Sequence, residues 1–236
     1  SCVVIVATIR ALKMHGGIEK EDLKKENVKA LKKGLVNLKR HIENIKKFAL
    51  EPVVAINHFA LDTVAEVKTV LKFCKNMKVQ VSECKHWAIG GKGTIDLAKK
   101  IVKLCKKKKS KNKFNFLYKD NLKLWEKISL IAKEIYRADK ITASDEVKEQ
   151  LKIFENNGHG NLPVCIAKTQ YSFSTDPKLK GAPLNHEIPI REVRLSSGAE
   201  FIVVVCGSIM TMPGLPKVPA ANSIKLNTKG ETEGLF

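Results

Sequence analysis

Val3-Val4-Ile5-Val6-Ala7-Thr8 runs apolar and β-branched with no polar alternation. That is the pattern of a strand buried on both faces of a parallel sheet. Such a strand needs neighbours, and none precedes it here. The chain is therefore expected to be one piece of a larger or split protein, with part of its chemistry elsewhere. Beyond the strand, a loop over Arg10–Gly17 (RALKMHGG) leads to a long helix. There Leu31, Leu35, Leu38, Ile42 and Ile45 recur at helical spacing, with Lys residues between them facing water. Pro52 stops that pattern, and Val53–Ile56 is the next buried strand. A helix over Asp62–Lys75, a short strand starting at Val79–Val81 and a helix over Ile95–Leu104 follow. Strand and helix in alternation predict a parallel sheet with helices on both faces.

The second half reads differently. Leu124–Tyr136 and Glu146–Asn156 are expected helices, the latter ended by Asn157-Gly158. Val164–Lys168, Ile188–Leu195 and Phe201–Cys206 have strand character, and Ser223–Phe236 reads as a hairpin turning near Lys229-Gly230. Helices followed by strands suggest a smaller α+β region. The Lys-rich run Lys106–Lys113 has no apolar periodicity and marks the boundary, giving an α/β domain over 1–110 and an α+β region over 111–236.

The chain has 236 residues and a formal charge of +19. No apolar run approaches the ~18 residues of a membrane-spanning helix. Residues 1–113 carry 27 Lys and Arg against 10 Asp and Glu, whereas residues 114–236 carry 16 against 14. The basic half is read either as solvated helix faces or as the footprint of an anionic partner. The 38 Lys against 5 Arg favour the first reading, because base-edge and bidentate phosphate recognition use Arg. Nucleic acid is therefore not the expected partner. Six cysteines without C-x-x-C spacing argue against a zinc ribbon or a disulfide framework and suit a reducing, cytoplasmic compartment. The six histidines have no metal-ligand spacing, so no metal site is expected. Of these, His15 beside two glycines is the one to watch, while His41 on the long helix reads as a surface or interface residue.

Ligands of open parallel sheets bind beyond the carboxyl ends of the strands. Three segments leave strands in that sense: Arg10–Gly17, Asn57–Asp62 (NHFALD) and Cys84–Gly93 (CKHWAIGGKG). Each glycine pair alone is equally a tight turn needing positive φ. Phe59 and Trp87 lie just past strand ends and can either cap the core or sandwich a flat heterocycle. There is no P-loop, nucleophile elbow or H-E-x-x-H motif.

The run Val6-Ala7-Thr8-Ile9-Arg10-Ala11-Leu12-Lys13-Met14-His15-Gly16-Gly17 resembles a signature of the formate–tetrahydrofolate ligases. The resemblance continues through 37–45 (NLKRHIENI), 54–57 (VAIN), 86–88 (HWA), 162–172 (LPVCIAKTQYS), 210–216 (MTMPGLP) and 234–236 (GLF). It covers essentially the whole chain and corresponds to the C-terminal part of the family's usual length. It implies a partial P-loop-NTPase-like fold and a ligase that joins formate to tetrahydrofolate with ATP, through formyl phosphate. Implied with it are ATP with Mg and tetrahydrofolate as substrates, a monovalent cation, a tetramer, and an N-terminal part carrying the P-loop. Catalytic residues are expected mostly in that part, so this chain alone is expected to be inactive. By the resemblance Phe59 and Trp87 stack on folate, and Asn57, Gly90 and Gly91 lie at the nucleotide.

The chain also departs from the family pattern. It has His58 in place of Arg, and Arg137 and Glu200 in place of Gly. Leu184-Asn185-His186 stands for Thr-Gly-Phe, and His159 for an aromatic. Losing glycine at a positive φ costs stability if the backbone is kept. The alternative reading is accordingly a folate-binding remnant without catalysis.

Overall fold

A computed structural model describes residues 2–106, 114–167, 169, 171–207, 217–228, 230 and 232–234. Chain order begins β1 (Val3–Ala7), α1 (Ile9–His15), α2 (Val28–Lys47), β2 (Pro52–Asn57), α3 (Val64–Asn76), β3 (Gln80–Cys84), α4 (His86–Ile89) and α5 (Ile95–Lys106). It continues α6 (Leu124–Ile131), β4 (Lys140–Ala143), α7 (Asp145–Phe154), β5 (Val164–Ala167), β6 (Glu187–Ser196), β7 (Phe201–Cys206), β8 (Lys225–Leu226) and β9 (Thr232–Glu233). The expected boundary at 110, the lysine run from 107 to 113, and the 210–216 motif (MTMPGLP) lie outside the described residues.

The first sheet is parallel, in the order β1-β2-β3, with Val6 opposite Ala55 and Asn57 opposite Cys84. On one face Val54 and Ile56 pack with Ile9 and Leu12 of α1, Leu31, Leu35, Leu38 and Ile42 of α2, and Val67, Val70 and Cys74 of α3. α5 covers the other face. Its Asp96 accepts from Ser82 Oγ at 2.6 Å, and its Lys100 Nζ donates to Val81 O at 2.7 Å. Helices therefore lie on both faces, as expected. Within this chain the outer side of β1 is uncovered, with Val6 66% exposed. α5 lies over β3 and β2 and leaves the outer side of β1 open.

Most of the expected loop over Arg10–Gly17 is instead helix α1. Thr8 caps it, accepting from Ala11 N at 3.1 Å, and Ile9 and Leu12 bury its inner face. A β-branched strand running straight into a one-turn cap hides the helix from a periodicity reading, because seven residues show barely two turns. The glycines beside it serve close approach as well as turning. A Cβ on Gly16 would lie 1.9 Å from Ala30 O, and one on Gly34 1.8 Å from Leu12 O, so α1 and α2 cross backbone to backbone. Only Gly17, at φ +99°, has the positive φ of a turn.

The second sheet has the order β4-β6-β7-β5. β6 and β7 form an antiparallel pair, and β4 and β5 flank it in parallel. Its core joins Leu124 and Ile128 of α6, Val147, Leu151 and Phe154 of α7, and Ile188, Ile190, Ile202 and Val204 of the strands. β4 is a strand that the sequence did not reveal, since Lys140–Ala143 is short and half polar. α6 and α7 each end in a π-helical turn, Ala132–Tyr136 and Glu155–His159, and Gly158 at φ +84° breaks the second. β8 and β9 pair antiparallel as the expected hairpin, while Lys229 lies outside the described residues.

The two cores meet along a seam on the outer face of α2. Asn37 Nδ2 donates to Gly181 O at 2.7 Å, and Asn44 Nδ2 to Ile135 O at 2.9 Å. Arg40 donates to the carbonyls of Tyr136, Ala182 and Pro183. Arg137 Nη2 donates to Glu43 Oε2 at 2.9 Å. Arg137 and Glu200, the expected glycine positions, keep left-handed backbone at φ 54° and 55°, and Asn185 does so at φ 53°. Asparagine tolerates that region better than most residues, and Arg137 gains an ion pair in return.

Candidate ligand site at the strand ends

Because the three strands are parallel, their carboxyl ends share one rim, and chain connectivity brings three segments to it. Asn57 ends β2, and its Oδ1 is buried without a hydrogen-bond partner in the protein. His58 N donates to Cys84 O at 3.0 Å, which continues the β2–β3 pairing one step beyond the sheet. Asp62 Oδ2 then accepts from Phe59 N at 2.9 Å, and Asp62 N donates back to Phe59 O, so a tight turn presents the Phe59 ring. His58 Nδ1 lies 2.8 Å from Glu83 Oε1, and Lys85 Nζ lies 3.1 Å from the same oxygen.

Trp87 sits on the one-turn helix α4, followed by a 3-10 turn over Gly90–Thr94. The expected loop is thus two short helical turns, closed by the bond from Lys85 N to Gly93 O. Phe59 and Trp87 are neighbours, with ring centroids 6.4 Å apart and planes tilted by 56°. A flat ring held between two parallel aromatics needs about 7 Å, twice the closest carbon–carbon contact distance. The pair is therefore too close to hold such a ring as it stands, and Trp87 is 73% exposed.

Gly90 has φ 61° and ψ −149°, backbone that only glycine adopts readily, and a Cβ there would meet nothing. Gly91 is likewise in open space. The glycine that packing demands is Gly93, where a Cβ would lie 2.5 Å from the Lys85 carbonyl carbon. Sequence reasoning did not single it out, although the GGKG spacing contained it.

Arg10 was also missed as a site residue. In the first turn of α1, its guanidinium carbon lies 5.3 Å from the Phe59 centroid, and its Nε is buried without a partner. An arginine three residues past a strand end was the available signal. Beneath it, Lys13 and Glu66 form an ion pair at 2.9 Å, 2% and 0% exposed. Lys13 Nζ also donates to Lys25 O at 2.8 Å. Glu66 accepts from Asn27 N and Thr63 N. Burial pushes the Glu66 carboxyl up, but the bonds from Asn27, Lys13 and Thr63 prevail and hold it below its usual range. This network fixes α1 against α3 and so sets where Arg10 stands.

His15 is not at the rim. Its Nδ1 accepts from Gly181 N at 3.0 Å and its Nε2 lies 3.4 Å from Ser172 Oγ, in the seam. Burial, then the Lys180 charge, lower its pKa, as befits a neutral imidazole that accepts a backbone N–H. His41 is an interface residue, its ring 4.5 Å from that of Phe173. Burial, with His15 and Arg40 adding to it, holds its pKa at about 4. Among the described residues no group of three or more His, Cys, Asp or Glu could hold a metal ion, and no helix is long and apolar enough to cross a membrane.

The fold is that of the open parallel α/β proteins, in which ligands bind beyond the carboxyl ends of the strands, and the aromatic pair and the unpaired polar atoms lie at those ends. The comparisons make this specific: the family model for formate–tetrahydrofolate ligase matches residues 1–236, and the chain belongs to that family. The formate–tetrahydrofolate ligase of Pelagibacter ubique is 64% identical over 236 residues, and that of Ruegeria pomeroyi 56%, each over all of this chain and 42% of the relative. The Sinorhizobium medicae enzyme is 54% identical over 233 residues, 99% of this chain and 41% of the relative. The chain thus spans about two-fifths of the length of these relatives.

Proposed function

We propose that this chain is the folate-orienting portion of an ATP-dependent formate–tetrahydrofolate ligase, which makes 10-formyltetrahydrofolate through formyl phosphate. The observation that carries the reading is the Phe59–Trp87 pair, two aromatics 6.4 Å apart on adjacent strand-end segments. In this reading Trp87 swings outward and the pterin enters between the rings, gaining burial and stacking worth about 0.5–1.5 kcal/mol beyond area. Arg10 backs Phe59 and offers its unpaired Nε–H to the ligand. Asn57 offers its unpaired Oδ1 as an acceptor to the adenine amino group, with Gly90 and Gly91 giving the nucleotide close access to backbone.

The residues here position; they hold no phosphoryl group. Catalysis then comes from orientation and electrostatics at the formyl and phosphoryl groups, supplied mostly by a P-loop part of the same enzyme. Magnesium would enter with ATP. The exposed Lys85 and Lys92 suit a polyglutamate tail on the folate. Residues 1–110 and 111–236 act as two domains joined at the seam, in a cytoplasmic tetramer.

The test is tetrahydrofolate binding by quenching of tryptophan fluorescence, on this chain alone and mixed with a P-loop segment of the family. A Trp87→Phe variant separates the Trp125 background. Saturable quenching that depends on Trp87, with turnover only in the mixture, is expected. Binding without turnover in either sample would leave a folate-binding remnant. Tetrahydrofolate affinity unchanged in Trp87→Ala would remove Trp87 from the site.

A further inference from the structure

We propose that Cys2 and Cys105 form a reversible disulfide that ties the start of β1 to the end of α5. Their Sγ atoms lie 3.9 Å apart although the residues are 103 positions apart in sequence. A disulfide brings sulfurs to about 2.05 Å, so the pair needs to close by about 2 Å. Cys105 is exposed and Cys2 is half-buried, so rotation of both side chains is available. Cys74, Cys84 and Cys206 are buried, and Cys165 is exposed on the other sheet. Nothing in the ligase reading uses either thiol, and the inference does not depend on that reading.

The oxidant is a hydroperoxide. The Cys105 thiolate attacks one peroxide oxygen and the O–O bond breaks. Cys105 becomes a sulfenic acid, and the leaving oxygen takes up the thiol's proton. The Cys2 sulfur then attacks the sulfenic sulfur, the S–O bond breaks, and water leaves with the Cys2 proton. Two thiols lose two electrons and the peroxide gains them. The order follows from access: Cys105 is exposed whereas Cys2 is half-buried, so the peroxide meets Cys105 first.

The bond would act where the sheet is least secured. α5 is anchored through Asp96 and Lys100 in its first half, and in its second half only Leu104 is buried. Beside it Val6 and Val102 stand exposed. A covalent tie at Cys105 clamps the loose end of α5 to β1. Since α5 continues directly from the segment carrying Trp87, the clamp also restrains the rim.

The experiment treats the reduced chain with an equimolar amount of hydrogen peroxide, caps free thiols by alkylation, and maps peptides without reduction. The expected result is a Cys2 peptide joined to a Cys105 peptide, an intact mass lower by two hydrogens, and full reversal by dithiothreitol. The oxidised chain should also melt at a higher temperature than the reduced one. Cys2→Ser should stop at a Cys105 sulfenic acid that dimedone traps. Free alkylation of both thiols after peroxide, a bond mapped to Cys165 or to a second chain, or loss of two hydrogens in Cys105→Ser would each overturn the proposal.

Discussion

At the rim, Asn57 and Arg10 keep buried polar atoms without protein partners, and Trp87 stands mostly in solvent. At the seam the same residue types are mostly paired, although Asn44 Oδ1 is also buried without a partner there. Asn37, Arg40 and Asn44 aim their donors at the backbone carbonyls of Ile135, Tyr136, Gly181, Ala182 and Pro183, and Phe173 is buried between His41 and Tyr136. An unpaired buried polar atom costs free energy unless something else satisfies it. The seam carbonyls take up the donors of Asn37, Arg40 and Asn44, whereas Arg10 Nε and Asn57 Oδ1 at the rim have no protein partner.

That contrast can be broken at several points. The largest effect is expected beneath the rim, at the buried Lys13–Glu66 pair. Lys13→Met should leave a buried carboxylate unpaired and lower stability by about 3–5 kcal/mol, read as a fall in the urea midpoint. A Lys13→Met, Glu66→Leu double variant should recover much of that loss.

The seam should next show itself in pH. The unfolded His41 imidazole takes a proton near its ordinary value of 6.5, whereas the folded one resists until about 4. Its contribution is therefore complete above pH 6.5 and drains away as pH falls through that window, by up to about 3 kcal/mol. Denaturation curves between pH 7 and 4 check this, and His41→Gln should flatten the dependence.

Arg40→Ala should cost about 1.5–3 kcal/mol, the scale of hydrogen bonds to a charged donor, with no change in folate affinity beyond the loss of folded chain. The smallest effect on folding belongs to the rim. Trp87→Ala should move stability by less than about 0.5 kcal/mol, because the side chain is mostly exposed. The same change should weaken folate binding by about 1–3 kcal/mol, the scale of a lost stacking contact with a heterocycle. A Trp87 variant that loses stability without losing affinity would reverse the roles of rim and interior.

Much of the architecture could be read from the chain because buried parallel strands and amphipathic helices write their period into it. β2 and the apolar stripe of α2 fall where Val53–Ile56 and Leu31–Ile45 indicated. Phe59 and Trp87 could be picked out because large aromatics just past strand ends are unusual. α1 and β4 could not, since seven and four residues carry too little periodicity.

The sequence by itself determined the parallel sheet, the three segments at its carboxyl ends, the aromatic pair and the family, all of which depend on residue type and local spacing. Tertiary structure alone decided that Arg10 backs Phe59, that Gly93 rather than Gly91 is demanded by packing, that His15 serves the seam, and that Cys2 meets Cys105. Those are distances between residues far apart in the chain or turned together by a fold. Such distances arise only when the hydrophobic faces have packed and the polar groups between them have found, or been left without, a partner.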